Sequence, residues 1–197
     1  MSAAAVAAAV PQIAKAANLW TEWNDTHRAC CQALSSAVNI LERLEVLADG
    51  SLFASLSHQP EVQQQVVAKQ LAALNKALAL LHSHHEALKG TVRDLERLHI
   101  EALRSLSAAA NLEAAAVFAG PQPTAVQCVE ALQDMWLMCK SELLLKIAAA
   151  GLVTLDMSLA DSVALMACYQ SQPNVRPAKV DVVLALLKET APTPNYG

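Results

Sequence analysis

Residues 61–107 place an apolar or small side chain every three or four positions, without a break, for more than five heptads. Leu71, Leu78, His85, Val92, His99 and Leu106 form one seven-residue series, and Val67, Leu74, Leu81, Leu88, Leu95 and Ala102 form the other. A strand needs a period of two. A period near 3.5 instead keeps one stripe of a helix turned towards a partner. The spacing predicts a single helix of roughly 70 Å, at about 1.5 Å per residue. Pro60 suits its first turn, because the fixed φ of proline is already helical. Gly90 interrupts the good helix formers at a cost of ~1 kcal/mol against Ala, and marks a place for a kink.

Two more long helices are legible. Thr124 and Gln127 have the spacing of a capping box, and Gly151 suits a left-handed residue past a helix end. Between them Val129, Trp136, Leu143 and Ala150 form one series, with Leu132 and Cys139 in the other. Lys146 falls where the second series should continue. Two readings stay open: an i,i+4 ion pair with Glu142, or a charge kept at an interface edge for a partner. Trp20, His27, Leu34, Leu41 and Ala48, with Trp23, Cys30, Ala37 and Leu44, mark the third long helix, ended by Asp49-Gly50. Residues 51–59 make a connector with one helical turn around Leu52 to Leu56. The Ala-rich stretch 108–123 makes another, closed by GPQP. Leu155 to Tyr169 and Lys179 to Lys188 are shorter apolar segments separated by SQPNVRP, with Pro177 placed to start the last helix. The expected fold is all-α: an elongated antiparallel three-helix coiled-coil-like bundle with a short C-terminal helical pair. Residues 1–17 read as an Ala-rich tail, 18–190 as a single domain and 191–197 as a second tail.

Composition narrows the function. Aromatics are only 4% of the 197 residues, so the core is mostly Leu, Val and Ala, which suits close-packed helices. Charged residues are 16%, below the about 25% of ordinary domains, which points to surface hidden in a complex. The net charge of −4 argues against direct nucleic-acid binding. The nearest basic set, Lys89, Arg93, Arg97 and Arg104, is interspersed with Glu86, Asp94, Glu96 and Glu101, as on a solvated helix face. Five cysteines with no CxxC suggest a reducing compartment and mostly buried thiols. No apolar run reaches the ~18 residues of a membrane span. The start MSAAAVAAAV lacks the basic segment of a signal peptide; a transit peptide is an alternative to a fraying tail, since no acid precedes Glu22.

Chemistry is not advertised. His82 and His85 have ligand spacing on one helix face, but no third ligand is evident and HExxH is absent. A polar seam residue that sets register explains His85 and His99 better. There is no phosphate-binding loop, no GxGxxG and no nucleophile elbow, so no enzyme, cofactor or metal is expected. Met135, Leu137, Met138 and Leu144 add apolar surface beside the Thr124 seam, and Met and exposed Leu suit an adaptable protein-binding face. Glu142 to Lys146 and Tyr169 to Val175 together are expected to form a partner-docking end, supported by the long coiled part. The alternative is that the chain's own C-terminal helix covers this surface.

Three patterns occur in order: Trp20-Thr-Glu-Trp23-Asn24-Asp25, Glu142-Leu-Leu-Leu-Lys146, and Ser171-Gln172-Pro173-Asn174-Val175 after Tyr169. Together they resemble the cyclin-dependent kinase 2-interacting protein family over roughly residues 18–190. That family has Trp where this chain has Tyr169, and its middle helix is poorer in alanine. The resemblance implies a non-enzymatic adaptor of the nucleus and also the cytoplasm. It would link cyclin-dependent kinases at replication origins, act with checkpoint proteins in ATR signalling, and serve in a AAA+ ATPase assembly. That assembly handles replisome proteins and late large-subunit ribosome precursors, and holds a sister helical adaptor of similar layout. The implied partner-binding residues are Trp20, Asn24, Asp25, Met135, Glu142, Leu144, Lys146, Tyr169, Gln172, Pro173 and Val175. A structural coiled-coil subunit of an unrelated tether, and an organellar helical protein, are the other classes.

Overall fold

The stripe on residues 61–107 folds as one helix. The computed structural model describes residues 2–48, 60–108 and 124–190, with side chains over 11–48, 61–108 and 124–185. It contains α1 (Ser2–Ala48), α2 (Pro60–Ser107), α3 (Ala125–Ala150), α4 (Leu159–Ser171) and α5 (Pro177–Thr190), and no strand among the described residues. The chain is all-α. The turn expected around Leu52 to Leu56, the GPQP break and the tail 191–197 lie outside the described residues.

The Ala-rich start, read from sequence as a tail, is helical: α1 begins at Ser2 and carries Pro11 inside it. Alanine has the highest helix propensity, so this stretch costs little to wind. Pro11 removes one ladder donor. Ile13 and Ala16 lie two to three turns before Trp23, and all three are buried. At the other end of the chain order, α3 starts as its sequence implies. Thr124 N donates to Gln127 Oε1 at 2.8 Å, and Gln127 N donates to Thr124 Oγ1 at 3.1 Å. Gly151 differs from expectation. Its φ is not positive, and the chain keeps winding, with Gly151 N bonded to Ile147 O and Ala148 O at 3.1 Å and Leu152 N to Ala149 O at 3.1 Å. The left-handed stop is at Gln172 instead (φ 46°, ψ 60°), at the end of α4. Pro173 follows and cannot continue a helix.

The chain divides into two compact units. The first comprises Met1–Asn24, Lys89–Glu142 and Pro173–Gly197. Its buried set takes Trp23 from α1, Val92, Leu95, Leu98 and Ala102 from α2, Leu132, Met135 and Cys139 from α3, and Val180 and Val183 from α5. The α2 seam positions 92, 95, 99 and 102 are all buried, as the heptads predict. Trp136 is only half-buried; its ring stacks on His99 at 5.7 Å and lies under Lys140 Nζ at 5.0 Å.

The second unit comprises Asp25–Leu88 and Leu143–Gln172. Here α1 and α2 run antiparallel: Gln63 Nε2 donates to Leu47 O at 3.3 Å, while Ala37, Ile40 and Leu41 cluster with Leu74 and Ala77. Val153 and Met157, from the segment between α3 and α4, pack on that cluster. Leu71 belongs to the predicted seam yet is 38% exposed. It lines a hollow with Leu41, Leu44 and Leu155; no residue of α3 lines that hollow, which is closed by the segment after α3 and by Leu159 and Ser162 of α4.

Two stability changes follow from these packing details. A Cβ at Gly90 would meet nothing within 4 Å. Gly90→Ala should therefore raise stability by ~1 kcal/mol in urea melts, the propensity difference alone. Trp136→Ala should cost about 2–3 kcal/mol in the same assay, below the range for a fully buried aromatic, since part of the ring already meets solvent.

Candidate functional site

Among the residues expected to dock a partner, Glu142 and Lys146 are internal anchors, while Leu144 is exposed. In the first unit, Glu142 is 0% exposed. A carboxylate that deep needs donors, since an unpaired buried charge costs several kcal/mol, on the order of the stability of a whole domain's margin. Asn174 supplies two, its backbone N at 3.1 Å and Nδ2 at 3.3 Å, both to Glu142 Oε2. Arg176 N reaches Met138 Sδ at 3.3 Å, and Lys179 Nζ pairs with Asp134 Oδ2 at 2.6 Å. These bonds tie the turn after Pro173 and the start of α5 to α3. The turn spends its polar groups internally.

In the second unit, Lys146 is also 0% exposed. Its Nζ donates to Tyr169 O at 2.7 Å and sits 4.1 Å from the centroid of the Tyr169 ring. The carbonyl and the ring face both favour a cation. Tyr169 is 1% exposed, and its hydroxyl lies 2.6 Å from His85 Nε2, while His27 stacks on its ring at 6.5 Å. One side chain of α4 thus answers residues of α1, α2 and α3. Sequence spacing places His85 in a seam, where it is buried, but gives no sign of the Tyr169 hydroxyl 84 residues away.

Of the residues expected to dock a partner, Glu142, Lys146, Tyr169 and Met135 are buried within the chain, as is Met138. Trp20 is half-buried and its carbonyl accepts from Asn24 Nδ2 at 3.0 Å; Asp25 pairs with Arg28 at 3.2 Å on the surface. Gln172 and Val175 are half-buried and Pro173 is exposed. Leu144 keeps its place outside at 61% exposure, as does Leu137 at 43%. Residues absent from the expected set extend the apolar surface of the second unit: Ile147, Leu152, Leu155, Leu159 and Val163 are all exposed. Leu155 and Leu159 lie at the start of the segment read from sequence only as short and apolar, and nothing in the sequence marks them as outward-facing.

His82 is exposed and His84 half-buried, and His82 Nε2 lies 3.9 Å from Glu86 Oε1. Among the described residues no group of His, Cys, Asp and Glu is arranged to hold a metal, and no helix is long and apolar enough to cross a membrane. Burial pushes the thiols of Cys128 and Cys139 up to about 11 and about 12, Cys139 also feeling the Glu142 carboxylate. Burial raises Cys30 as well, against the opposing pull of the Tyr169 hydroxyl and the Lys146 charge.

Tyr169→Phe keeps the ring over Lys146 and removes only the hydroxyl bonded to His85, so it should cost about 1–2 kcal/mol by urea denaturation. The thiol shifts carry a sign. A buried thiol keeps its proton where the unfolded chain has lost it, so stability is full below the ordinary value of 9.0 and falls as pH climbs towards 11 and 12. At about pH 8, iodoacetamide should label exposed Cys168 first, with Cys128 and Cys139 modified only on unfolding, as read by mass spectrometry.

Residues 5–191 match the family described as Ribosome biogenesis protein C1orf109-like. No curated protein sequence matches the chain. The match covers nearly the whole chain, and it replaces the cyclin-dependent kinase 2-interacting family as the assignment; the two families are related. The chain therefore belongs to the Ribosome biogenesis protein C1orf109-like family.

Proposed function

We infer that this protein is a non-enzymatic helical adaptor in large ribosomal subunit maturation, working as a subunit of a AAA+ ATPase complex in the nucleus. The observation that carries this reading is the family match over residues 5–191, a family described by its role in ribosome biogenesis. The chemistry of the chain supports it. Its buried polar side chains, Glu142, Lys146 and His85, are engaged in holding helices and turns together. Outside, the second unit carries the exposed apolar residues Leu144, Ile147, Leu152, Leu155, Leu159 and Val163, which suit a protein partner.

The ties to cyclin-dependent kinases, ATR signalling and replisome proteins rest on the resemblance of the WxxWND, ELLLK and SQPNV patterns alone. In this chain those patterns serve its own packing. Trp23 fills the core of the first unit, Glu142 and Lys146 are internal anchors, and Asn174 holds its turn to α3. Ribosome maturation is accordingly the branch of the resemblance we favour.

Affinity purification of the tagged full chain from nuclear extract, followed by mass spectrometry, tests the reading. AAA+ ATPase subunits and late large-subunit precursors should co-purify. Leu144→Asp puts a charge on an exposed apolar position and should reduce the ATPase yield about tenfold while circular dichroism stays helical. Recovery of membrane-tether proteins with neither ATPase nor ribosomal precursors would overturn it.

A further inference from the structure

In the second unit, the end of α3 and the length of α4 line a hollow of about 620 Å³. Its two walls repeat the same pattern. Leu145, Ala148, Ala149 and Leu152 come from α3 and the turn that ends it, and Asp161, Ala164, Leu165 and Cys168 from α4. Each set has the spacing i, i+3, i+4, i+7, which is one face of a helix. Alanines at 148, 149 and 164 leave no bulk between the walls, so a third helix could approach both closely. Leu152, at the mouth, is 65% exposed.

The charge around this hollow has one sign. Its charged lining residues are Asp156 and Asp161. Asp161 is partly spoken for: its N–H and carboxylate bond Ser158 Oγ at 3.1 and 2.7 Å, at the positive end of α4. Asp156 is exposed and has no ion-pair partner among the described residues. On the other side of the 152–158 segment, the neighbouring hollow is lined by Glu42 and Glu45 besides Asp156. Among the described residues, no Lys or Arg lines either hollow.

We propose that the hollow between α3 and α4 is a docking slot for an amphipathic helix of a partner protein, with leucine-like residues on its buried face and Lys or Arg flanking them. Charge chooses this occupant. Residues 1–10, 49–59, 109–123 and 191–197 of this chain contain no Lys or Arg, so none of these segments would answer the carboxylates. The slot deepens the adaptor reading and rests on it, since it supplies the surface through which an adaptor holds its partner.

The test uses the full chain and a synthetic 18-residue helical peptide, on the order of the length that spans such a slot. Leucines sit at i, i+3, i+4 and i+7, flanked by lysines; a twin carries glutamates instead. Methyl NMR of the protein reads both site and affinity. The lysine peptide should shift the methyls of Leu145, Leu152, Met157 and Leu165, and bind about tenfold tighter than its twin in low salt. The difference should collapse in about 0.5 M NaCl. Asp156→Lys leaves the Ser158 cap untouched and should weaken the lysine peptide about fivefold. Ala164→Gln fills the slot with a helix-compatible side chain and should do the same or more.

Equal binding of the two peptides, or shifts centred elsewhere, would overturn the slot. So would slot methyls that a soluble paramagnetic probe cannot reach in the free monomer, because the chain's own residues would then cover them. A dimer in light scattering that Ala164→Gln dissolves would make a second copy the occupant instead. Normal ATPase recovery with Ala164→Gln would sink the slot and leave the adaptor reading standing.

Discussion

Two charged side chains on α3, Glu142 and Lys146, are withdrawn completely from water, and much of the remaining chain is arranged around that fact. Removing an ion from water costs several kcal/mol, a sizeable part of the few kcal/mol by which a domain is stable. Neither the turn after Pro173 nor the end of α4 can drift away without leaving one of these charges short of a partner. In the first unit the carboxylate collects the Asn174 donors. In the second the ammonium faces the Tyr169 carbonyl and ring. Leucine cores are tolerant of small sliding motions; a charge with fixed hydrogen-bond geometry is not. The anchors therefore specify where the short C-terminal helices sit against the long ones within each unit.

The long helices were legible because their information is local. Heptad spacing on residues 61–107, the Thr124–Gln127 box and Pro177 at the start of α5 each depend on neighbours a few positions apart, and each is realised. The site was less legible because its determinants are distant. Spacing along α3 gives no sign that Lys146 reaches the Tyr169 carbonyl, which is 23 positions further along the chain. The same holds for Glu142 and Asn174, 32 positions apart. Met135 and Met138 looked like surface because the seam was drawn too narrow: α5 and the turn before it pack on α3 beyond the two heptad series, burying a wider stripe. Leu71 failed in the opposite sense, as no residue of α3 lines the hollow it faces.

Family membership and structure bear on different parts of the protein. The match extends over residues 5–191, including most of the Ala-rich beginning. That agrees with α1 beginning at Ser2 and with buried Ile13 and Ala16. Those first turns belong to the first unit, and Ala16 is part of its buried set.

Tyr169 joins a ring, a hydroxyl and a carbonyl at one position, and each has a different customer. The carbonyl and the ring face serve Lys146; the hydroxyl serves His85. Any large aromatic would keep the first two. Only tyrosine adds the third, so this one position ties α4 to both α2 and α3. A change of aromatic at 169 would be felt unequally: phenylalanine would take away the bond to His85 and leave the carbonyl and the ring face over Lys146 in place.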